Sequence, residues 1–324
     1  FTFLYIHLES CSINNFHSRS YDIDERNFDH MSWKSEQNSS NIIIAVHGYN
    51  DYSNAFKLPA EYLIKHSIEL ISFDLRGFGK RSDRGDWFDL EVHLDDLKIF
   101  INKIKHDNPN KNIFLLGESM GGSIALSLAN RNKDIPINGV ILVSPAIWNF
   151  SKTNFFKSIA LRSLSLIFPN LKVSGKGIIK VQASNNIEML KELSQDEYFI
   201  QKPTFKSLDG IVNLMDRSYI DSIEFLKNPN YDTIMLIPII DEIVPRKPLI
   251  KILENQKNNI TEISKLQIYV YEKNFHMILR DINGVIALDE IKDWVLEKKK
   301  NLNSQNLSQI LKKLKQSRFY HKLD

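Results

Sequence analysis

Ser119, Asp241 and His276 are the residues whose types and order in this chain can run nucleophilic chemistry. A serine hydroxyl attacks a carbonyl efficiently only when a base takes its proton. That base in turn needs a carboxylate to orient it and to stabilise its charged form. Ser119 stands at the centre of Gly117-Glu118-Ser119-Met120-Gly121, after the apolar run Ile113-Phe114-Leu115-Leu116 and before Gly122-Ser123-Ile124-Ala125-Leu126. Read as strand, sharp turn and helix, this is a nucleophile elbow. The turn is so tight that a side chain two residues either side of the serine would strike neighbouring backbone, hence the glycines. It lifts the hydroxyl above the sheet edge and aims the free N–H groups of the following helix at the same spot. The five-residue pattern alone is weak, and a glycine-rich helix start is the plain alternative. The strand before it and the helix after it give the pattern its weight.

On such a sheet the partners follow in the order serine, acid, histidine. The strand Thr233-Ile234-Met235-Leu236-Ile237 runs into Pro238-Ile239-Ile240-Asp241, which puts Asp241 just beyond a strand end. The strand Leu266 to Tyr271 runs into Glu272-Lys273-Asn274-Phe275-His276. Only one other histidine, His321, follows Ser119, and it lies in the tail. His276 is therefore expected to take the Ser119 proton and return it to the leaving group, with Asp241 stabilising the imidazolium. The backbone N–H groups of Met120 and of Tyr49, which follows His47-Gly48, would form the oxyanion hole. Asp281 is a rival for the role of orienting carboxylate.

The elements that must position these groups alternate. Two edge strands are expected over 20–35, then the continuous apolar strand Ile42-Ile43-Ile44-Ala45-Val46, which suits a sheet covered on both faces. A helix near 57–66, a strand at Leu70-Ile71-Ser72-Phe73, a long amphipathic helix over 90–107, the elbow, and the strand Gly139 to Val143 follow. This alternation means a parallel, doubly wound α/β sheet with functional residues at the carboxyl ends of its strands. From 148 to 231 the alternation stops, and helical stretches replace it near 155–168, 185–194 and 206–226. A last helix near 284–299 returns to the sheet. The division expected is an N-terminal segment (1–19), a core (20–147 and 232–297), a helical cap (148–231) and a basic tail (298–324).

The helix at 155–168 carries Phe155, Phe156, Ile159, Leu164, Ile167 and Phe168, and is expected to wall a pocket for an alkyl chain. Lys152, Lys157 and Arg162 would hold it near an anionic lipid surface. The tail carries about +7, leaving −4 on the body and +3 overall. Leu307, Ile310, Leu311 and Leu314 recur at helical spacing there. That pattern fits either a basic amphipathic helix at a membrane surface or a solvated tail with one loosely docked helix.

With 324 residues, 43% hydrophobic and 25% charged, the composition is that of a soluble globular protein. A single cysteine excludes an intrachain disulfide and a cysteine-based metal site. No apolar run approaches a membrane span of ~18 residues. Basic residues are not interleaved with aromatics across a sheet face, so nucleic acid is not an expected partner. The apolar stretch Phe1 to Leu8 precedes Glu9-Ser10-Cys11. Cys11 is either the lipid-attachment site of a truncated signal-like segment or part of a frayed end or early strand. The compartment expected is accordingly cytoplasmic or membrane-associated.

The set His47-Gly48-Tyr49-Asn50-Asp51, Asp74-Leu75-Arg76-Gly77-Phe78-Gly79, Gly117-Glu118-Ser119-Met120-Gly121-Gly122, Asp241-Glu242-Ile243-Val244-Pro245 and His276-Met277-Ile278-Leu279-Arg280-Asp281 resembles the α/β-hydrolase superfamily. Within it, the match is to the bacterial monoacylglycerol lipase and lysophospholipase-like serine hydrolases of the serine aminopeptidase type. The resemblance runs over roughly residues 20–297. It implies an α/β-hydrolase fold with a helical cap inserted after the sixth strand. It also implies hydrolysis of single-chain lipid esters, monoacylglycerol or lysophospholipid, through an acyl-enzyme and with no metal or organic cofactor. Two positions depart from the family pattern. Pro238 stands where the family has glycine three residues before the acid, and Asn274 where it has glycine two before the histidine. Pro238 fixes φ and removes a donor, so it bears on how Asp241 is placed. Other triad hydrolases, such as a general carboxylesterase, a thioesterase or an aminopeptidase-like enzyme, share these residues, as would a non-catalytic lipid-binding relative.

Overall fold

The computed structural model describes residues 16–23, 26–174, 181–255, 265–297 and 307–316. Cys11 and the basic residues 298–300 lie outside them. One sheet of eight strands runs through the molecule: β1 (Phe16–Ile23), β2 (Arg26–Trp33), β3 (Asn41–Val46), β4 (Ile68–Phe73), β5 (Asn112–Glu118), β6 (Gly139–Val143), β7 (Thr233–Ile240) and β8 (Leu266–Phe275). Their order is β1-β2-β4-β3-β5-β6-β7-β8. The β1–β2 hairpin is antiparallel and joins β4 antiparallel, while β4, β3, β5, β6, β7 and β8 are mutually parallel. This is the mostly parallel, doubly wound sheet that the strand–helix alternation predicts.

The helices are α1 (Lys57–Leu63), α2 (Leu90–Asp107), α3 (Met120–Arg131), α4 (Phe150–Thr153), α5 (Phe155–Ile167), α6 (Ile187–Gln195), α7 (Phe205–Lys227), α8 (Lys247–Asn255), α9 (Gly284–Glu297) and α10 (Leu307–Gln316). Alternate side chains of β3 show why the sheet must be covered twice. Ile42, Ile44 and Val46 belong to a core shared with α2, α3, α7, α8 and α10, whereas Ile43 and Ala45 pack with α1 and α9. All of β3 is buried, as a continuous apolar run requires.

The sequence passes leftward from β3 to β4 and then crosses to β5 on the other side of β3, so loops diverge where β3 and β5 meet. Such a switch point leaves a crevice at the carboxyl strand ends. Gly48 and Ser119 meet there: a Cβ on Gly48 would stand 3.4 Å from the Ser119 Cβ. The helical insertion α4–α7 lies between β6 and β7, after the sixth strand.

Several local outcomes refine the sequence expectation. The expected helix over 57–66 turns 3₁₀ at Ile64–His66, after α1. β7 does not stop at Ile237 but continues through Pro238 to Ile240, with a bulge in its pairing to β8 between Pro238 and Ile240. A bulge is where an interior strand tolerates proline, because one ladder bond is given up there. The tail helix α10 is docked, the second of the two readings of its apolar spacing. Ile310, Leu311 and Leu314 are buried in the core, and Lys313 and Lys315 pair with Glu272 and Glu254. Its apolar stripe is spent on the fold and is unavailable to a membrane.

A further difference concerns α5. No residue of α5 is buried, and Phe156 is 85% and Leu166 78% exposed. Leu161 alone of this helix's large apolar side chains packs against the core, while Phe155, Ile159 and Ile167 face outward. A helix lying mainly on α7, with only the short α4 beside it, can bury only one stripe. The surplus apolar surface is therefore left open to solvent.

Candidate active site

Each group of the site stands where a strand ends. Ser119 follows β5 with φ 56° and ψ −116°, a conformation that costs a non-glycine residue about 1–3 kcal/mol. The elbow holds it there. Ser119 N–H donates to Val143 O at 3.0 Å, and its own carbonyl accepts from Ala146 N–H at 3.0 Å. The flanking glycines have the role that the sequence assigns them. A Cβ at Gly117 would meet Gly121 O at 2.3 Å, and one at Gly121 would meet Val46 O at 2.1 Å. Since both obstacles are backbone, Gly121→Ala is expected to destabilise the fold by roughly 1–3 kcal/mol, toward the upper end. A urea midpoint equal to that of the wild type would contradict this.

His276 follows β8, which runs to Phe275, four residues beyond the expected end. Its Nε2 lies 2.9 Å from Ser119 Oγ and its Nδ1 2.8 Å from Asp241 Oδ2. Asp241 follows β7, and its other oxygen, Oδ1, accepts from Ile243 N–H at 2.8 Å and Val244 N–H at 3.0 Å. With that oxygen committed to backbone donors, Oδ2 is left to the imidazole. Asp241 and His276 are both buried, and Ser119 is half-buried. Burial pushes the imidazole toward its neutral form, but the charge and hydrogen bond of Asp241, with Glu118 adding to them, raise its pKa above the ordinary value.

Asp281 is engaged elsewhere. It accepts from Ser184 Oγ at 2.6 Å, Asn185 N–H at 3.2 Å and Phe275 N–H at 2.6 Å. It thus ties the segment before α6 to the loop that carries His276. The same segment supplies Ala183 O to Met277 N–H at 2.9 Å.

Met120 is the first residue of α3, so its N–H has no carbonyl a turn earlier in the helix. Tyr49 follows Gly48, which abuts Ser119. His47, completely buried, fixes this loop. Its Nε2 accepts from Leu75 N–H at 3.0 Å, so the proton is on Nδ1, which donates to Gly48 O at 2.9 Å. Burial lowers its pKa and keeps it neutral. The Tyr49 hydroxyl bonds Ser207 Oγ on α7 at 2.8 Å, joining this loop to the insertion. Trp87 lies so close to α7 that a Cβ on Gly210 would meet its indole at 2.2 Å.

Three supports of the site were not among the sequence candidates. Ser144, at the end of β6 with φ 45°, donates from Oγ to His276 O at 2.6 Å. Its position directly before Pro145 at a strand end was the available signal. His47 fixes the loop of Tyr49, and Arg280 pairs with Glu118 at 3.0 Å and with Asp51 at 2.8 Å. The charged Glu118 inside an otherwise apolar strand end was the signal for that group.

Comparisons with known proteins give the family and the fold of the chain. The family described as serine aminopeptidase, S33, matches residues 37–283. The chain is 26% identical over 200 residues to phospholipase YtpA of Bacillus subtilis, covering 61% of this chain and 75% of that protein. It is 24% identical over 267 residues to the monoglyceride lipase of Rattus norvegicus, covering 81% and 84%. Among solved structures, the Paleococcus ferrophilus monoacylglycerol lipase is 20% identical with a TM-score of 0.68, covering 84% of this chain and 99% of that one. A soluble variant of the Saccharomyces cerevisiae monoglyceride lipase is 18% identical with a TM-score of 0.71, covering 88% and 96%. The chain belongs to the serine aminopeptidase S33 family, and its fold is that of the α/β-hydrolases.

Proposed function

We propose that this member of the family is a serine hydrolase that cleaves carboxylic esters of single-chain lipids through an acyl-enzyme. Lipase or esterase chemistry is the class its relatives support, since they bear the names monoglyceride lipase and phospholipase. The observation that carries the mechanism is the unbroken chain of hydrogen bonds Ser119 Oγ, His276 Nε2 and Nδ1, Asp241 Oδ2. In this reading His276 Nε2 takes the Ser119 proton as Oγ bonds to the ester carbonyl carbon. The carbonyl oxygen becomes an oxyanion held by the Met120 and Tyr49 N–H groups. Collapse breaks the bond to the alcohol, which leaves with the proton from His276. Water, deprotonated by the same imidazole, then releases the fatty acid and restores Ser119.

The outer face of α5 supports the lipid substrate. Phe155, Phe156, Ile159, Leu166 and Ile167 are exposed, with Lys152, Lys157 and Arg162 exposed on the same stretch. Aromatic and aliphatic side chains flanked by cations are what settles into an anionic lipid surface. In this reading the helices of 148–231 form a cap that meets the lipid phase.

The test is a fluorophosphonate label on Ser119 followed by a series of monoacyl esters from acetyl to dodecanoyl. Each buried methylene contributes about 0.8 kcal/mol, so two added carbons should raise kcat/KM by up to about tenfold until the acyl site is full. Monoacylglycerols should precede lysophospholipids. A flat or falling profile would refute the lipid substrate and leave a general carboxylesterase.

A further inference from the structure

Three charges beside the nucleophile have no part in the chemistry just described. The Glu118 carboxylate, the Arg280 guanidinium and the Asp51 carboxylate are all buried, none more than 6% exposed. A single nitrogen, Arg280 Nη2, reaches Glu118 Oε2 at 3.0 Å and Asp51 Oδ2 at 2.8 Å. Each charge comes from a different segment of the site. Glu118 precedes Ser119, Asp51 lies two residues after Tyr49, and Arg280 lies four residues after His276. Nucleophile, oxyanion donor and base are thus joined through one guanidinium.

Such a group is a poor device for stability. Desolvating three ions costs more than most packed apolar replacements would, so its worth has to be sought in what it holds in place. Two carboxylates share one guanidinium, and burial raises the pKa of Glu118 against the pull of Arg280. Among the described residues Glu118 Oε1 has no hydrogen-bond partner, and Arg280 is what anchors that carboxylate. The groups acting on His276 are Asp241 from the loop after β7, Glu118 from β5 and Arg280 from its own loop, together with the Ser119 hydroxyl. Asp241 and Glu118 favour the imidazolium and Arg280 opposes it.

We infer that Arg280, Glu118 and Asp51 are positioning residues that lock the base loop and the oxyanion loop about Ser119. The inference rests on the reading of Ser119 and His276 as nucleophile and base.

Glu118→Gln and Asp51→Asn, both near-isosteric, test it. Rates are expressed per active site, counted by fluorophosphonate titration, so partial misfolding drops out. Glu118→Gln should lower kcat about tenfold or more with KM within about threefold, because a small misplacement of reacting groups costs rate more than binding. The acid limb of its kcat/KM profile should move to lower pH, since a negative charge favouring the imidazolium is gone. Asp51→Asn should lower kcat through the oxyanion loop and move that limb less, because Glu118 remains. A purely structural group would lower Tm in both variants while per-site kcat and the acid limb stayed at wild-type values, and that result would overturn the inference. Should Glu118→Gln not fold, Asp51→Asn decides: a per-site kcat down about tenfold supports the inference, and an unchanged one sinks it. Failure of the underlying reading looks different, because wild-type protein would then not take the label at Ser119.

Discussion

Replacing Ser119 or His276 by alanine is expected to lower ester turnover by about 10⁴-fold or more, and the double variant should be little worse than either single one. The reason lies in the 2.9 Å contact between His276 Nε2 and Ser119 Oγ. A serine hydroxyl without a base is a weak nucleophile, and a base without its serine has no proton to take, so either loss removes the same step. What survives is the contribution of binding and of the Met120 and Tyr49 N–H groups, which alone give roughly 10³–10⁴-fold over water in enzymes of this kind. Ser119→Ala should leave the fold nearly untouched, because the hydroxyl is only half-buried. His276→Ala removes a buried ring together with the partner of a buried carboxylate, so its Tm must be measured beside its rate. Activity of either single variant within tenfold of wild type would remove Ser119 and His276 from the mechanism. Additive losses in the double variant would show that the two do not act as a unit.

The parts of the site that could be read in the sequence are those where backbone geometry forces a residue type. Gly117 and Gly121 are such places, because any side chain there would meet a carbonyl of the elbow or of β3. The apolar runs of β3, β5 and β6 are others, since a strand buried on both faces favours apolar side chains along most of its length. Pairing across the sheet was harder to foresee. Pro238 reads as the end of a strand, yet β7 passes through it because a bulge in the pairing to β8 gives up the bond that proline cannot make. α8 has no place in the sequence pattern as read, although Leu249, Ile250, Ile252 and Leu253 are its buried stripe. The Glu118, Arg280 and Asp51 group was out of reach for a further reason. The three residues stand 67 and 229 positions from Glu118 to Asp51 and from Asp51 to Arg280, and no local rule joins such distances. The amphipathic patterns of α5 and α10 were visible, but a pattern does not say which neighbour it faces. α10 found a partner in α8 and β8, while most of the apolar surface of α5 did not.

The two carboxylates near His276 should separate cleanly on substitution. Asp241→Asn is expected to lower kcat/KM by about 10³–10⁴-fold with little loss of stability. Its Oδ1 could still accept from Ile243 and Val244, so the loop would stay in place. The atom facing His276 Nδ1 would then be an amide nitrogen, a donor set against a donor. The imidazole would be driven to the wrong tautomer, and its charged form would lose its counter-ion. Asp281→Asn should behave the opposite way. Oδ1 there accepts from Ser184 and Asn185 and Oδ2 from Phe275 N–H, so an amide must leave at least one buried donor unmet. That costs roughly 1–3 kcal/mol of stability. Activity should fall less than about tenfold, because the groups in contact with Ser119 keep their partners. Measuring kcat/KM and the urea midpoint for both variants gives four numbers. If Asp281→Asn proved inactive while Asp241→Asn stayed near wild type, the orienting carboxylate would be Asp281, and the 2.8 Å contact of Asp241 with His276 would be a bystander to the reaction.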